Sequence, residues 1–177
     1  VCVIIDEAYV EFAAVEDRDA MLDVARKHDN VVVLRTFSKV YGLAGVRVGY
    51  AFGSPAFKRA VDLVRQPFSV NMVAQAAANA ALAQPADMNE RVAHTIKERE
   101  WVEGQLHGLG LQTAVTRANF SWIDVGERDE DAIVDGLARA GVMVRAGSAL
   151  GESGRFRVSY GTREENQRFI TELAALL

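Results

Sequence analysis

A single cysteine, Cys2, leaves no pair for an internal disulfide and fits a reducing, cytoplasmic setting. No apolar run approaches the roughly 18 residues that a membrane span needs. Positive charge is not in excess. Twenty Lys and Arg stand against 24 Asp and Glu, for a net charge of -4. With no basic stripe, neither a nucleic acid nor an anionic membrane is an expected partner. The three histidines, His28, His94 and His107, are too scattered to ligate a metal, and each lies near a helical segment where a solvated or capping role suffices. Repeats and low-complexity tracts are absent. What remains is a chain of 177 residues, 50% hydrophobic and 25% charged, the profile of a globular protein of one ordinary domain or one and a half small ones. It opens Val1-Cys2-Val3-Ile4-Ile5, inside what reads as a buried strand, with no initiator Met and no signal-peptide n-region. The chain is therefore expected to be a portion of a longer polypeptide.

The apolar pattern alternates between strand and helix. Residues 1–5 form a β-branched run ending in Asp6-Glu7, as a central parallel strand would. A short helix over 19–28 carries Met21, Leu22 and Ala25 on one side. Residues 31–34 read as a second buried strand and 46–52 as a third. Ser54-Pro55 supplies an N-cap and a first-turn proline to a helix striped by Phe57, Val61 and Val64. An alanine-rich helix over 73–83 is followed, after Pro85, by a long one from about 87 to 107, with Gly108 and Gly110 as its stop. Further on, 120–125, 142–145 and 156–160 read as strands. Asp129 caps a helix bearing Ile133, Val134 and Leu137. Thr162-Arg163-Glu164-Glu165 is a capping box that opens a last helix, with Phe169, Ile170, Leu173 and Leu177 on its apolar face. The expected organisation is α/β: residues 1–85 in one domain, 86–107 as a linking helix, and 108–177 as a small α/β domain.

Two segments carry chemistry. In Thr36-Phe37-Ser38-Lys39, followed by Arg47, a lysine lies between a strand end and a glycine-containing loop. Two hydroxyls and a guanidinium are close in sequence. Thr36, Ser38 and Arg47 together can hold a phosphate, and a lysine amine beside it can attack a carbonyl. The bland alternative makes Lys39 and Arg47 ordinary solvated charges. The second segment is Asp6-Glu7-Ala8-Tyr9, an acid at the C-terminal end of a strand, where α/β proteins bind ligands. Here the alternatives are a loop acid or helix cap, or the magnesium-binding strand of a nucleoside triphosphatase. The last requires a phosphate loop, G-x-x-x-x-G-K-[ST], which this sequence does not contain.

Taken together, Asp6-Glu7-Ala8-Tyr9 and the continuous run from Thr36 to Tyr50 resemble the fold type I aminotransferases. Within them the likeness is greatest to the histidinol-phosphate and related aromatic aminotransferases. Thirty-three positions separate Asp6 from Lys39 and eight separate Lys39 from Arg47, which fits that family's spacing. Arg65-Gln66-Pro67-Phe68-Ser69-Val70-Asn71 and Phe156-Arg157-Val158-Ser159-Tyr160-Gly161-Thr162 agree as well. Phe68 departs from the pattern, which more often has tyrosine there; the difference touches a pocket wall rather than the chemistry.

The resemblance implies a C-terminal portion of such an enzyme: part of a large mixed-sheet cofactor domain followed by the small domain. It implies pyridoxal 5'-phosphate as cofactor. Lys39 would form the Schiff base and later move the proton, and Asp6 would keep the pyridine nitrogen protonated. Tyr9 would donate to the ring's phenolic oxygen, while Thr36, Ser38 and Arg47 fix the phosphate. Arg157 would take the substrate's carboxylate and Arg145 its distal group, with a solvent-facing arginine as the alternative for Arg145. The implied reaction is transamination between histidinol phosphate or an aromatic amino acid and a 2-oxo acid, 2-oxoglutarate in the first instance, by a homodimer. A related lyase such as a threonine-phosphate decarboxylase, a nucleotide-hydrolysing module and an inactive fragment stay open.

Overall fold

Val31, Val32 and Val33 are all buried, so the strand they form, β2 (Val31–Thr36), is covered on both faces. In the computed structural model, which describes residues 1–13 and 15–177, β2 is the middle strand of a three-stranded sheet. β1 (Val3–Asp6) pairs with it in parallel, Asp6 opposite Leu34. β3 (Gly49–Phe52) pairs antiparallel, Gly49 opposite Thr36. The sheet is thus mixed, as the resemblance implied. Helix α1 (Ala20–Lys27) closes one face, packing Leu22 and Ala25 on Val31 and Val33.

Three sequence expectations are corrected in this half. First, β1 has a single strand neighbour within these 177 residues, and here its β-branched residues are not buried; Ile4 is 61% exposed. Second, the strand expected over 46–52 begins only at Gly49. Ala44–Val46 make one tight helical turn, and Arg47 ends it in the left-handed region at φ 60°, which an extended ladder does not admit. Third, α2 (Pro55–Val64) has the expected cap, with Ser54 Oγ accepting from Phe57 N at 3.2 Å, yet none of its residues is buried. Its apolar stripe is real but uncovered. In α3 (Met72–Leu82), Asn71 caps the first turn and only Ala74 and Ala78 are buried.

The chain divides into two compact units, 1–92 and 93–177, and the boundary falls within α4 (Pro85–Gly108). The second unit is a four-stranded antiparallel sheet. β4 (Gln112–Thr113), β5 (Phe120–Asp124), β6 (Arg145–Ala146) and β7 (Arg155–Ser159) stand in the order β4-β5-β7-β6. Ser121 and Ile123 of β5 and Phe156 and Val158 of β7 are buried, while the residues between them face outward: period-2 alternation of a one-sided sheet. The inward face meets Val102 and Leu106 of α4, Ile133 and Leu137 of α5 (Glu130–Arg139), and Phe169 and Leu173 of α6 (Arg163–Ala174) in one core. β4 escaped the sequence pattern because two residues define no period. β6 is shorter than expected; Val142 and Val144 pack on the core without joining the ladder. The Thr162/Glu165 capping box is present, but α6 ends at Ala174, and Leu177 lies beyond its apolar face, partly exposed.

Candidate active site

Within the first unit, the C-terminal ends of β1 and β2 are adjacent because the two strands run parallel. Each continues into one of the two chemistry-bearing segments. After β1, Ala8 N–H donates to Asp6 Oδ1 at 3.0 Å, fixing an exposed carboxylate at the strand end. After β2, Phe37 and Val40 are buried on either side of Ser38-Lys39, so anchoring them turns Lys39 outward. Leu43 N–H donates to Phe37 O at 3.0 Å and Gly42 N–H to Lys39 O at 2.9 Å, a turn that Gly42 closes at φ 69°. Arg91 reaches Tyr41 O at 3.1 Å, and the Phe37 ring makes tilted contacts with both Tyr41 and Tyr50. Lys39 therefore stands on a loop held at many points. Its Nζ lies 5.0 Å from the Tyr9 ring centroid, and among the described residues no carboxylate lies within ion-pair distance of it.

Thr36 Oγ1 accepts from Ser38 N–H at 3.0 Å, bringing both hydroxyl residues into one tight turn. Phe37 N–H donates to Val48 O at 3.3 Å, which runs the Arg47 segment alongside this loop. Arg47 donates one N–H to Ala44 O at 2.7 Å and keeps its left-handed backbone, a strained conformation of the kind that clusters at functional sites.

One pair in this half was not singled out from the sequence. Arg35 Nε donates to Glu7 at 2.8 Å and Arg35 Nη1 to Asp19 at 2.9 Å, and Arg35 Nη2 also reaches Arg18 O. Burial opposes the guanidinium charge, but the two carboxylates win and raise the Arg35 pKa. Glu7 follows Asp6 and Arg35 precedes Thr36, so this pair ties the two chemistry-bearing segments together. The available signal was a charged residue within an otherwise apolar strand. Burial acts in the other direction on the neutral acids nearby, raising the pKa of Tyr41, Tyr50 and Glu11. Phe68 is 98% exposed and adopts φ 57°.

The second unit carries the two remaining arginines. Arg145 and Arg157 are direct register partners across β6 and β7. Side chains of such a pair share one face of the sheet, where like charges repel. Among the described residues neither has a carboxylate within ion-pair distance, whereas Arg155, two residues from Arg157, pairs with both Asp124 and Glu152. The Arg157 guanidinium lies over the Phe120 ring, 5.1 Å from its centroid.

An outward amine over Tyr9 on a pinned loop, with a turn of hydroxyls next to it, thus lies in a mixed α/β unit followed by a smaller unit built on an antiparallel sheet. The family model described as aminotransferase class I and II matches residues 1–173, and the chain belongs to that family. It is 39% identical over its whole length to a histidinol-phosphate aminotransferase of Moorella thermoacetica, covering 46% of that protein. To an aromatic amino acid aminotransferase of Mycobacterium bovis it is 41% identical over 96% of the chain, covering 47% of that protein. Among solved structures, a histidinol-phosphate aminotransferase from Sinorhizobium meliloti in complex with pyridoxal-5'-phosphate aligns over 99% of the chain with a TM-score of 0.88 at 31% identity, covering 48% of that structure's chain. The chain spans about half the length of the relatives it matches.

Proposed function

We propose that this chain forms part of an enzyme that transfers an amino group between histidinol phosphate or an aromatic amino acid and a 2-oxo acid, with pyridoxal phosphate as cofactor. The observation that carries the reading is Lys39: an outward amine with no acid partner among the described residues, on a loop fixed by Phe37 and Val40, facing Tyr9. The donor set fits an aldehyde cofactor that bears a phosphate and a basic ring nitrogen. Lys39 is the amine that holds it, and later takes the substrate's α-proton. Asp6 holds a proton on the ring nitrogen, Tyr9 donates to the phenolic oxygen, and Thr36, Ser38 and Arg47 bind the phosphate. Once bound, the cofactor supplies an electron sink for the substrate's carbanion. Arg157 binds the carboxylate of the 2-oxo acid or of an aromatic donor as a planar fork; histidinol phosphate has no carboxylate, and its phosphate is held by Arg145 together with Arg157.

Two opposed guanidiniums without acidic partners favour a substrate with negative charge to place between them. That observation favours histidinol phosphate over an aromatic amino acid. The test is product analysis with the full-length protein, offering histidinol phosphate and phenylalanine with 2-oxoglutarate. Glutamate formed from either donor supports the reading. Threonine phosphate offered in a parallel assay separates the alternative: carbon dioxide released from it, with no glutamate formed from either donor, would assign a lyase instead.

A cytoplasmic location is our reading of the single free cysteine, which allows no internal disulfide. A homodimer is supported by Leu63, Val64, Phe68, Met72 and Val73, large apolar residues left exposed close together in sequence. Light scattering on the full-length protein tests it: a dimer mass is expected, reduced towards the monomer by Phe68→Glu with Met72→Glu.

A further inference from the structure

Two arginines of the second unit lie over aromatic rings, and they differ in one respect. Arg163 lies 4.3 Å from the Trp101 centroid, and its N–H groups are consumed by Glu98, with contacts of 2.9 to 3.2 Å; Asn166 completes that carboxylate at 2.9 Å. This is a closed structural knot between α4 and α6. Arg157 lies over Phe120, and among the described residues no carboxylate takes its N–H groups. A guanidinium resting on a ring uses its flat face, which leaves the in-plane donors directed away from the ring. The same device is satisfied internally in one case and left open in the other.

The backbone that carries the ring beneath Arg157 is itself held firmly. Phe120 O accepts from Thr116 Oγ1 at 2.7 Å, and Tyr160 N–H donates to Asn119 O at 3.0 Å. Phe120 is paired with Ser159 in the β5–β7 ladder, and the next residue, Ser121, is fully buried. Alternation then places Phe120 on the outward face, on the side that carries Arg157 and Arg145. Arg145, opposite Arg157, would push a free guanidinium away; the ring supplies attraction that opposes this without spending an N–H donor.

We propose that Phe120 is a positioning residue: its ring holds the Arg157 guanidinium as a preset fork for the anionic group of both the amino donor and the 2-oxo acid. The inference rests on the carboxylate-binding reading of Arg157. It assigns Phe120 an effect on binding rather than on the proton-transfer step, because the ring acts through the Arg157 guanidinium.

The experiment uses the full-length holoenzyme with Phe120→Leu and Phe120→Met, which keep bulk without a π face, and with Phe120→Tyr, which keeps the face. Leu and Met should raise KM for donor and 2-oxo acid in parallel, by about threefold to thirtyfold, with kcat within about twofold. Tyr should restore both. On an Arg157→Ala background, Phe120→Leu should have no further effect on either KM, a result that a merely structural role would not give. If Arg157→Ala raises KM steeply while Phe120→Leu and Phe120→Met leave it unchanged, the positioning role is overturned and the carboxylate reading stands. If Arg157→Ala itself leaves both KM values unchanged, the carboxylate reading is overturned and the positioning role falls with it.

Discussion

Lys39 and Tyr9 meet across two loops, the lysine Nζ 5.0 Å from the tyrosine ring centroid, although they belong to segments that follow different strands. Parallel pairing of β1 and β2 makes this possible, since it puts both strand ends on one edge of the sheet. The Glu7–Arg35 ion pair then fixes one loop relative to the other. If this is the cofactor pocket, borohydride reduction of the full-length enzyme should leave the cofactor on a peptide containing Lys39. Lys39→Ala should remove both that label and the visible absorption band. Peptide mapping checks this, and a label on any other lysine would refute the assignment.

Asp6→Asn separates binding from chemistry. A carboxylate in ion-pair contact with a protonated ring nitrogen would contribute on the order of 4 kcal/mol at an effective dielectric near 20. The variant should retain cofactor yet lose on the order of a hundredfold to a thousandfold in kcat. Turnover near the original rate would make Asp6 only a strand-end acid.

Arg145 is expected to cost stability and serve specificity. Because it opposes Arg157 directly, Arg145→Ala should leave the Tm of the substrate-free protein unchanged or higher. The same variant should lower kcat/KM for histidinol phosphate by about tenfold to a hundredfold, with little change for phenylalanine. Unchanged histidinol-phosphate turnover would remove the argument for the phosphate substrate.

Acid should loosen the second unit through two carboxylates. Arg163 holds the Glu98 carboxyl below the usual range. For Glu130, burial works to raise the pKa, but N–H groups of the β6–β7 loop, those of Ser148 and Gly154 among them, prevail and lower it. A carboxylate whose folded pKa is depressed contributes stability above its unfolded pKa, near 4.3, and that contribution is lost as pH falls through the folded value. Tm should therefore decline on acidification from pH 5 towards pH 3. In Glu98→Gln and Glu130→Gln it should start lower and decline less. A parallel decline in all three proteins would show that neither carboxylate is responsible.

Gly147 joins β6 to the loop that leads into β7. A Cβ there would lie 2.3 Å from Glu152 O and 2.5 Å from Arg155 O, both backbone atoms that cannot rotate aside. Gly147→Ala should destabilise the protein by on the order of 2–3 kcal/mol in urea unfolding. A variant as stable as the original would mean that the loop can open without cost.

The sequence by itself determined the elements that local rules govern. Ser54, Asn71, Asp129 and Thr162 cap their helices through their own side chains, and the alternation in β5 and β7 sorts core from surface without reference to anything distant. Asp6, Lys39 and Arg47 stood out as candidates by residue type and position in the sequence, and Arg157 through the family resemblance. Other features were decided only by tertiary structure. Whether Val3 and Ile4 are buried depends on how many strands flank β1, and β-branched residues look the same at an edge as at a centre. Arg47 sits in a valine-rich run that reads as strand, yet the turn at Ala44–Val46 leaves it left-handed. The Glu7–Arg35 tie, the opposition of Arg145 to Arg157, and the ring beneath Arg157 all arise between residues far apart in the chain. Strand pairing fixes those neighbours, and no local pattern encodes them.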